Sequence, residues 1–471
     1  MDAAELAYAG IARQAELVRA GEVSSRELVE LYLERISRVD PALNAFKVVW
    51  PERALAAADD ADRSRASGER GPLLGVPIGI KDELADVEGD VTALGTGAVD
   101  RPARADSEMV RRLRAGGAVL LGKTNLPELA IFGFTESKTW GVTRNPWGPG
   151  RTPGGSSGGS GAAVAAGLVG AASGSDGAGS IRIPAANCGL FGLKPQRGRI
   201  PLAPLAEHWH GLSVNGCVTR TVRDTALFLD VTAGQAAGPG STPPVPERPF
   251  LDAAARPPDR LRIAVSTRPP RLIAPPILDE SVRGAVEGTA ELLRSLGHRV
   301  GDRDPQFGLV GNPFTQLYLR GIHDDVRALP YPERLEARTR GFGRMGALTS
   351  RRAARRAVDS IPKHSRRINR VFDDHDVLLF PTVGTPPVEV GRWDGRGALR
   401  TLIGMGRVYP FTGVWNYTGQ PAAAVPAGFT PDGLPLSVQL VGRPNDEATL
   451  LSLAAQIETE RPWANRTPPV E

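Results

Sequence analysis

The stretch that most constrains this chain runs from Gly154 to Ser180. It reads G-G-S-S-G-G-S-G over Gly154–Gly161, a run of small residues to Leu168, and G-S-D-G-A-G-S over Gly174–Ser180. Glycine takes positive φ without strain and lets backbone N–H groups converge on one point. Ser156 sits in the first turn and Ser180 ends the second, with a short helix expected across Gly161–Leu168. A hydroxyl beside converging N–H donors is what acyl transfer requires, a nucleophile next to an oxyanion hole. Either turn alone reads equally well as purely structural. Two such turns flanking one short helix are harder to explain that way. A serine hydroxyl is a weak nucleophile without a base, and no histidine is near either turn.

The scarcity of lysine directs the search for that base. Lysine occurs at 47, 81, 123, 138, 194 and 363, and arginine carries nearly all the remaining positive charge. Arginine cannot accept a proton near neutral pH, whereas lysine can once its pKa is depressed. Lys81 ends L-L-G-V-P-I-G-I-K before Asp82, a stretch from Leu73 that reads as a short buried strand. Burial disfavours the charged ammonium.

Composition narrows the function class. With 471 residues, 41% apolar and 23% charged, the chain reads as an ordinary globular protein with a large core and no need of disulfides or metal. Cys188 and Cys217 make neither a disulfide framework nor a zinc site, which fits a reduced, cytoplasmic home. M-D-A-A-E-L-A-Y-A-G lacks the basic-then-apolar pattern of a secretory leader. Ala162–Ala172 is too short and glycine-broken to span a membrane. The net charge of +5 comes from scattered arginine, which reads as a solvated surface rather than a nucleic-acid site. No His/Cys/Asp/Glu cluster has metal-ligand spacing, so neither metal nor cofactor is expected. A homodimer stays open.

Along the chain, Ser24–Glu27 reads as a capping box opening an amphipathic helix that Pro41 follows. A helix from Asp106, a stop at Gly116–Gly117 and a strand over Ala118–Leu121 come next. L-R-I-A-V-S, a helix over Leu278–Leu296 and H-R-V repeat that unit. Arg334–Arg370 reads as arginine-rich helix, and D-V-L-L-F-P-T-V and L-P-L-S-V-Q-L-V-G-R-P as strands. These alternations predict an α/β fold with partly parallel strands. We expect one domain over 1–471, with a helical N-terminal arm over 1–65 and a Pro/Gly-rich surface linker over 234–258.

Two short motifs suggest rival chemistry. Gly117–Thr124 matches G-x-x-x-x-G-K-T, but its variable residues Ala118–Leu121 read as strand instead of a phosphate-cradling loop. Gly154–Gly158 fits G-x-S-x-G, which would make Ser156 a nucleophile served by a later histidine. His208, His210, His298, His323, His364 and His375 are the candidates, none in a telling context.

Taken together, G-G-S-S-G-G-S, a serine 24 residues after Ser156 (180 − 156), then I-R-x-P-A and an upstream G-V-P-x-x-x-K-D resemble the amidase signature family. L-L-G-K-T-N-L-P-E-L-A, W-G-V-T-R-N-P-W, G-L-K-P-Q-R-G-R and F-T-G-V-W-N-Y-T-G-Q-P-A-A-A-V-P also resemble its segments, in family order. The resemblance implies the amidase-signature fold, with a mixed, mostly parallel central sheet and helices on both faces. It implies a Ser–cis-Ser–Lys triad: Ser180 as nucleophile, Ser156 after a cis peptide as proton relay, and Lys81 as base. The oxyanion donors would be the N–H groups of Gly177, Ala178, Gly179 and Ser180. The implied reaction is hydrolysis of a small-molecule carboxylic amide to acid and amine or ammonia through an acyl-enzyme, without a cofactor. D-G-A-G-S departs from the commoner D-T-G-G-S and is similar to the branch that includes 6-aminohexanoate-cyclic-dimer hydrolase, so linear and cyclic amides both stay open. Asp176 and Arg182 read as a structural pair shaping the turn. Ile131, Phe132, Phe134, Trp140, Trp415 and Asn416 are candidates for the substrate pocket. A glutamyl-tRNA amidotransferase A-type subunit, which works with partner subunits, is the alternative. D-G-A-G-S and I-F-G-F-T-E-S favour a stand-alone amidase.

Overall fold

The computed structural model describes residues 1–236, 243–271 and 274–470. The strands are β1 (Phe46–Val49), β2 (Pro77–Lys81), β3 (Val119–Thr124), β4 (Glu136–Ser137), β5 (Gly141–Val142), β6 (Ala171–Asp176), β7 (Phe191–Lys194), β8 (Val214–Thr219), β9 (Arg262–Val265), β10 (Arg299–Asp302), β11 (Val377–Pro381), β12 (Ala422–Phe429) and β13 (Pro435–Gly442). Eleven form one sheet in the order β1-β3-β2-β6-β8-β7-β12-β13-β11-β9-β10, while β4 and β5 pair apart.

The sheet is mixed but not mostly parallel. Parallel neighbours occur at β3–β2, β2–β6, β11–β9 and β9–β10. The other six junctions are antiparallel. Parallel neighbours need a crossover, which the helices Glu108–Ala115 and Glu280–Ser295 supply at the two ends. In the middle, β7 reaches β8 past a single 3₁₀ turn and β12 reaches β13 through the turn Thr430–Leu434, so these pairs run antiparallel.

Successive strand residues point to opposite faces. Val377 and Leu379 of β11 pack with Ile78, Leu193 and Leu440, against helices Glu280–Ser295 and Glu447–Glu460. Leu378 and Phe380 pack with Trp415 and Val441, against helices Gly311–Ala328 and Ala337–Ala347. Helices thus cover both faces. The arginine-rich stretch is amphipathic: Phe342, Ala354, Ala357 and Ile368 are buried and most of its arginines face outward.

Several boundaries differ from the sequence reading: the strand expected from Leu73 begins at Pro77, and the one expected over Ala118–Leu121 runs Val119–Thr124. The helix capped by Ser24 and Glu27 continues through Pro41 to Leu43. Its last turn holds because Asn44 N–H donates to Asp40 O and the Asp40 carboxylate accepts from Ala45 and Phe46. The N-terminal arm is not wholly helical, since β1 pairs with β3 and forms the sheet edge. Of the stretch 234–258, residues 237–242 lie outside the described residues. Phe250–Ala254 is a short helix, with Phe250 buried and its N–H held by Asp230. Among the described residues, no helix is long and apolar enough to cross a membrane.

Candidate active site

Lys81 ends β2, beside β6, with Gly79 registered against Ala172. Residues two apart on β6 point the same way, and both serines there meet Lys81. Ser173 Oγ accepts from Lys81 N–H at 2.8 Å, and Ser175 Oγ lies 2.6 Å from Lys81 Nζ. Nζ also bonds Ser156 Oγ at 2.8 Å and stands 3.0 Å from Glu83 Oε2. Ser175 in turn donates to Glu83 Oε2. Burial pulls the Lys81 pKa below that of a free lysine, against the opposing pull of Glu83 and Asp176.

Asp82 is not Lys81's partner. It takes Lys47 at 3.0 Å and Lys123 at 3.2 Å, and Lys123 also pairs with Asp90. Lys123 therefore sits in a strand, in a buried ion-pair cluster, with Val119–Leu121 extended ahead of it. No loop is left there to wrap a phosphate.

The first glycine turn carries a cis peptide at Gly155–Ser156. Gly155 has no room for a side chain, because a Cβ would lie 2.5 Å from Phe132 O and 2.7 Å from Phe134 N. The helix then runs Gly158–Ala165. The two turns are tied by Ser157 N–H, which donates to Ser180 O at 3.2 Å. Ser156 is fully buried, and Ser180 borders a cavity of about 580 Å³ together with Gly155 and Ala178. Lys81 and Ser156 are directly bonded. Among the described residues, Ser180 Oγ has no hydrogen bond to Ser156, and no histidine bonds either serine.

Asp176 organises the second turn, as a structural pair with Arg182. Both are fully buried, with Arg182 Nη2 2.9 Å from Asp176 Oδ1. Burial works to raise the Asp176 pKa, but the Arg182 guanidinium outweighs it and holds the carboxyl at about 2. Asp176 also accepts from Gly179 N–H at 2.7 Å and Ile181 N–H at 3.2 Å. That takes Gly179 out of the donor set expected from the sequence. The N–H groups of Gly177, Ala178 and Ser180 have no acceptor in the chain among the described residues. Gly179 has φ +127°, and a Cβ there would lie 2.5 Å from Thr412 Oγ1, itself a donor to Ala178 O. Gly179→Ala is expected to cost about 1–3 kcal/mol in backbone strain, and more through this clash. Thermal unfolding beside turnover checks it, and an unchanged melting temperature with full activity would show that the turn tolerates a side chain.

The expected pocket residues divide. Ile131 and Phe132 line the cavity. Phe134 does not: it is buried, stacked on Trp393 at 4.6 Å and on Phe132 at 5.0 Å. Trp415 lies in the core against Phe307 and Phe380. Asn416 donates to Asp176 O and Oδ1 and so holds the turn from behind. Trp140 donates to Thr96 O beneath Lys47. The cavity wall comes instead from Trp209, Phe314, Tyr318, Leu402, Met405 and Tyr409. Glu83 and Ser175 were missed as neighbours of Lys81. Ser175 lies two residues after Ser173 on β6 and shares its face, but that strand was not legible in the residues, and Glu83 lies just past the end of β2, where the strand period no longer applies.

Three comparisons bear on this geometry. The family model described as Amidase matches residues 27–451. A Mycobacterium tuberculosis protein named "Putative amidase AmiB2" is 52% identical over 100% of both chains. The 6-aminohexanoate-cyclic-dimer hydrolase of Pseudomonas sp. (strain NK87) is 37% identical over 97% of this chain and 95% of its own. A solved structure of 6-aminohexanoate cyclic dimer hydrolase complexed with substrate superposes with a TM-score of 0.91, at 34% identity, over 98% of this chain and 99% of that one.

Proposed function

This chain belongs to the amidase signature family, and from that premise we propose that it hydrolyses a carboxylic amide with Ser180 as nucleophile, Ser156 as proton relay and Lys81 as base. One observation carries this reading: a buried lysine, its ammonium disfavoured by burial, bonded at 2.8 Å to the serine of the first glycine turn. Ser180, which borders the cavity, attacks the carbonyl as its proton passes through Ser156 Oγ to the Lys81 amine. The oxygen that gains charge is met by the N–H groups of Gly177, Ala178 and Ser180, fixed in place before the reaction. The C–N bond then breaks and the proton returns to the departing nitrogen. Water repeats the sequence on the acyl ester. A Ser156–Ser180 hydrogen bond forms in this scheme as the substrate fills the cavity, since catalytic hydrogen bonds often tighten only in the complex.

The lining favours an amide with a bulky apolar portion. Ile131, Phe132, Phe314, Leu402 and Met405 give the lining a large apolar share, and a largely apolar cavity of this size suits a small molecule. The relatives' names, amidase and hydrolase, support a stand-alone enzyme over an amidotransferase subunit. Cys188 and Cys217, both buried and unpaired, fit a reducing compartment such as the cytoplasm.

A fluorophosphonate probe followed by peptide mass spectrometry tests the assignment. The label is expected on Ser180. A label on Ser156 would transfer the nucleophile's role to the first turn and sink the reading.

A further inference from the structure

Glu83 has no place in the scheme above, yet it lies in contact with the base. Its carboxylate is buried, and Oε2 stands 3.0 Å from Lys81 Nζ and accepts from Ser175 Oγ. Lys81 Nζ bonds Ser156, Ser175 and Glu83 together. A buried carboxylate is costly unless a cation or several donors hold it, and here they do. We propose that Glu83 is a positioning residue of the base: its carboxylate aims Lys81 Nζ at Ser156 and holds the ammonium formed when Lys81 takes the serine proton. The inference rests on Lys81 being that base.

The proton account closes without another reactant. Neutral Lys81 gains one proton from Ser156 as Ser156 gains one from Ser180. Glu83 remains a carboxylate throughout. When the C–N bond breaks, the proton travels back along the same path to the leaving nitrogen. Glu83 thus acts as a buried carboxylate does beside a histidine base, orienting it and stabilising its charged form.

Lys81 faces Glu83 from its own chain segment and Asp176 from β6, and Asp176 is already held by Arg182. Glu83 faces Lys81 and, at longer range, His208. Burial works to raise the Glu83 pKa, but Lys81, His208 and the Ser175 hydrogen bond outweigh it and hold the carboxyl below the usual range. His208 is held by Asp325 at 3.2 Å and by Ser213 at 2.8 Å. Burial opposes its charge, yet Asp325 and Glu83 prevail and its pKa is raised. A pH profile must therefore separate two titrations, those of Lys81 and His208.

The sign follows from charge. The Glu83 carboxylate favours the ammonium form of Lys81, so removing its charge lets Lys81 lose its proton at lower pH. In Glu83→Gln the rising limb of kcat against pH is expected to move down by about one pH unit or more. The plateau should fall by about tenfold, because a weaker base accelerates less, while KM changes little. His208→Gln, measured in parallel, should leave the main limb near its wild-type position. The ionisation can also be read directly. With only six lysines in the chain, ¹³Cε-lysine labelling gives few NMR signals, and Lys81→Arg identifies the one from Lys81. That signal should titrate at lower pH in Glu83→Gln than in the wild type. Glu83→Asn, read the same way, serves if Glu83→Gln does not fold. An unmoved limb and an unmoved Lys81 titration, in a protein whose activity still requires Lys81, would overturn this inference and leave the base assignment standing. Full turnover in Lys81→Arg would instead remove the base itself.

Discussion

Ser180→Ala is expected to lower amide turnover by on the order of 10⁴-fold or more, because no other group can form the acyl bond. The turn itself should survive. It is held by Asp176, Arg182, Asn416 and Thr412, none of which uses the Ser180 hydroxyl. The N–H donors and the cavity stay in place, so KM should change little and a weak residual rate should remain from binding and oxyanion stabilisation alone. Fluorophosphonate labelling should vanish with the hydroxyl. Ser156→Ala separates the roles, since it keeps a nucleophile but removes the relay, and labelling should become slow instead of absent. Comparable turnover in Ser180→Ala and wild type would refute the nucleophile assignment outright.

Lys81→Arg is expected to lose on the order of 10²-fold or more in kcat, and Lys81→Ala about as much. Arginine retains a positive charge that Glu83 can pair with, so the ion pair alone is not what the variant tests. What it removes is the option of being neutral. In the wild type, burial works towards the neutral amine, and activity should climb with pH as the amine forms. In Lys81→Arg the climb should disappear. Circular dichroism establishes that the fold persists. Near-wild-type turnover in Lys81→Arg would mean that lysine is not the base.

Much of this site was readable in the residues. Two glycine turns bearing serines, and one lysine after an apolar strand in a chain that otherwise uses arginine, identify the groups the structure brings together at Lys81 and Ser156. The strands of that region were less readable. β6 is spelled A-A-S-G-S-D and β12 A-A-A-V-P-A-G-F. Alanine, glycine, serine and proline have poor strand propensity, and tertiary packing overrides it here. β6 sits where the helix Gly158–Ala165 must come close, so small side chains are needed whatever their propensity. The pocket was misjudged for a related reason. Aromatic side chains near a catalytic motif serve core or cavity equally well. Phe134 and Trp415 went to the core, while Phe314 and Leu402 reach the cavity from helices Gly311–Ala328 and Ala398–Val408, whose docking no local pattern records. Asn416 lies close to the site but faces its scaffold, a distinction that depends on a hydrogen bond to Asp176 across 240 residues of chain.

The long reach of that scaffold bears on when the protein becomes an enzyme. Arg182, two residues after Ser180, is held by Thr412 O, Asn416 Oδ1 and Gln439 Oε1, which lie 230, 234 and 257 residues further along the chain. A ribosome that has just released Arg182 has none of these partners to offer. At about 5–20 residues per second, Gln439 follows roughly 13–50 seconds later. Throughout that interval the second glycine turn exists as sequence without its buttress. A polypeptide released before that point carries Lys81, Ser156 and Ser180 without the strand that supplies Gln439 to Arg182, and is expected to be inactive.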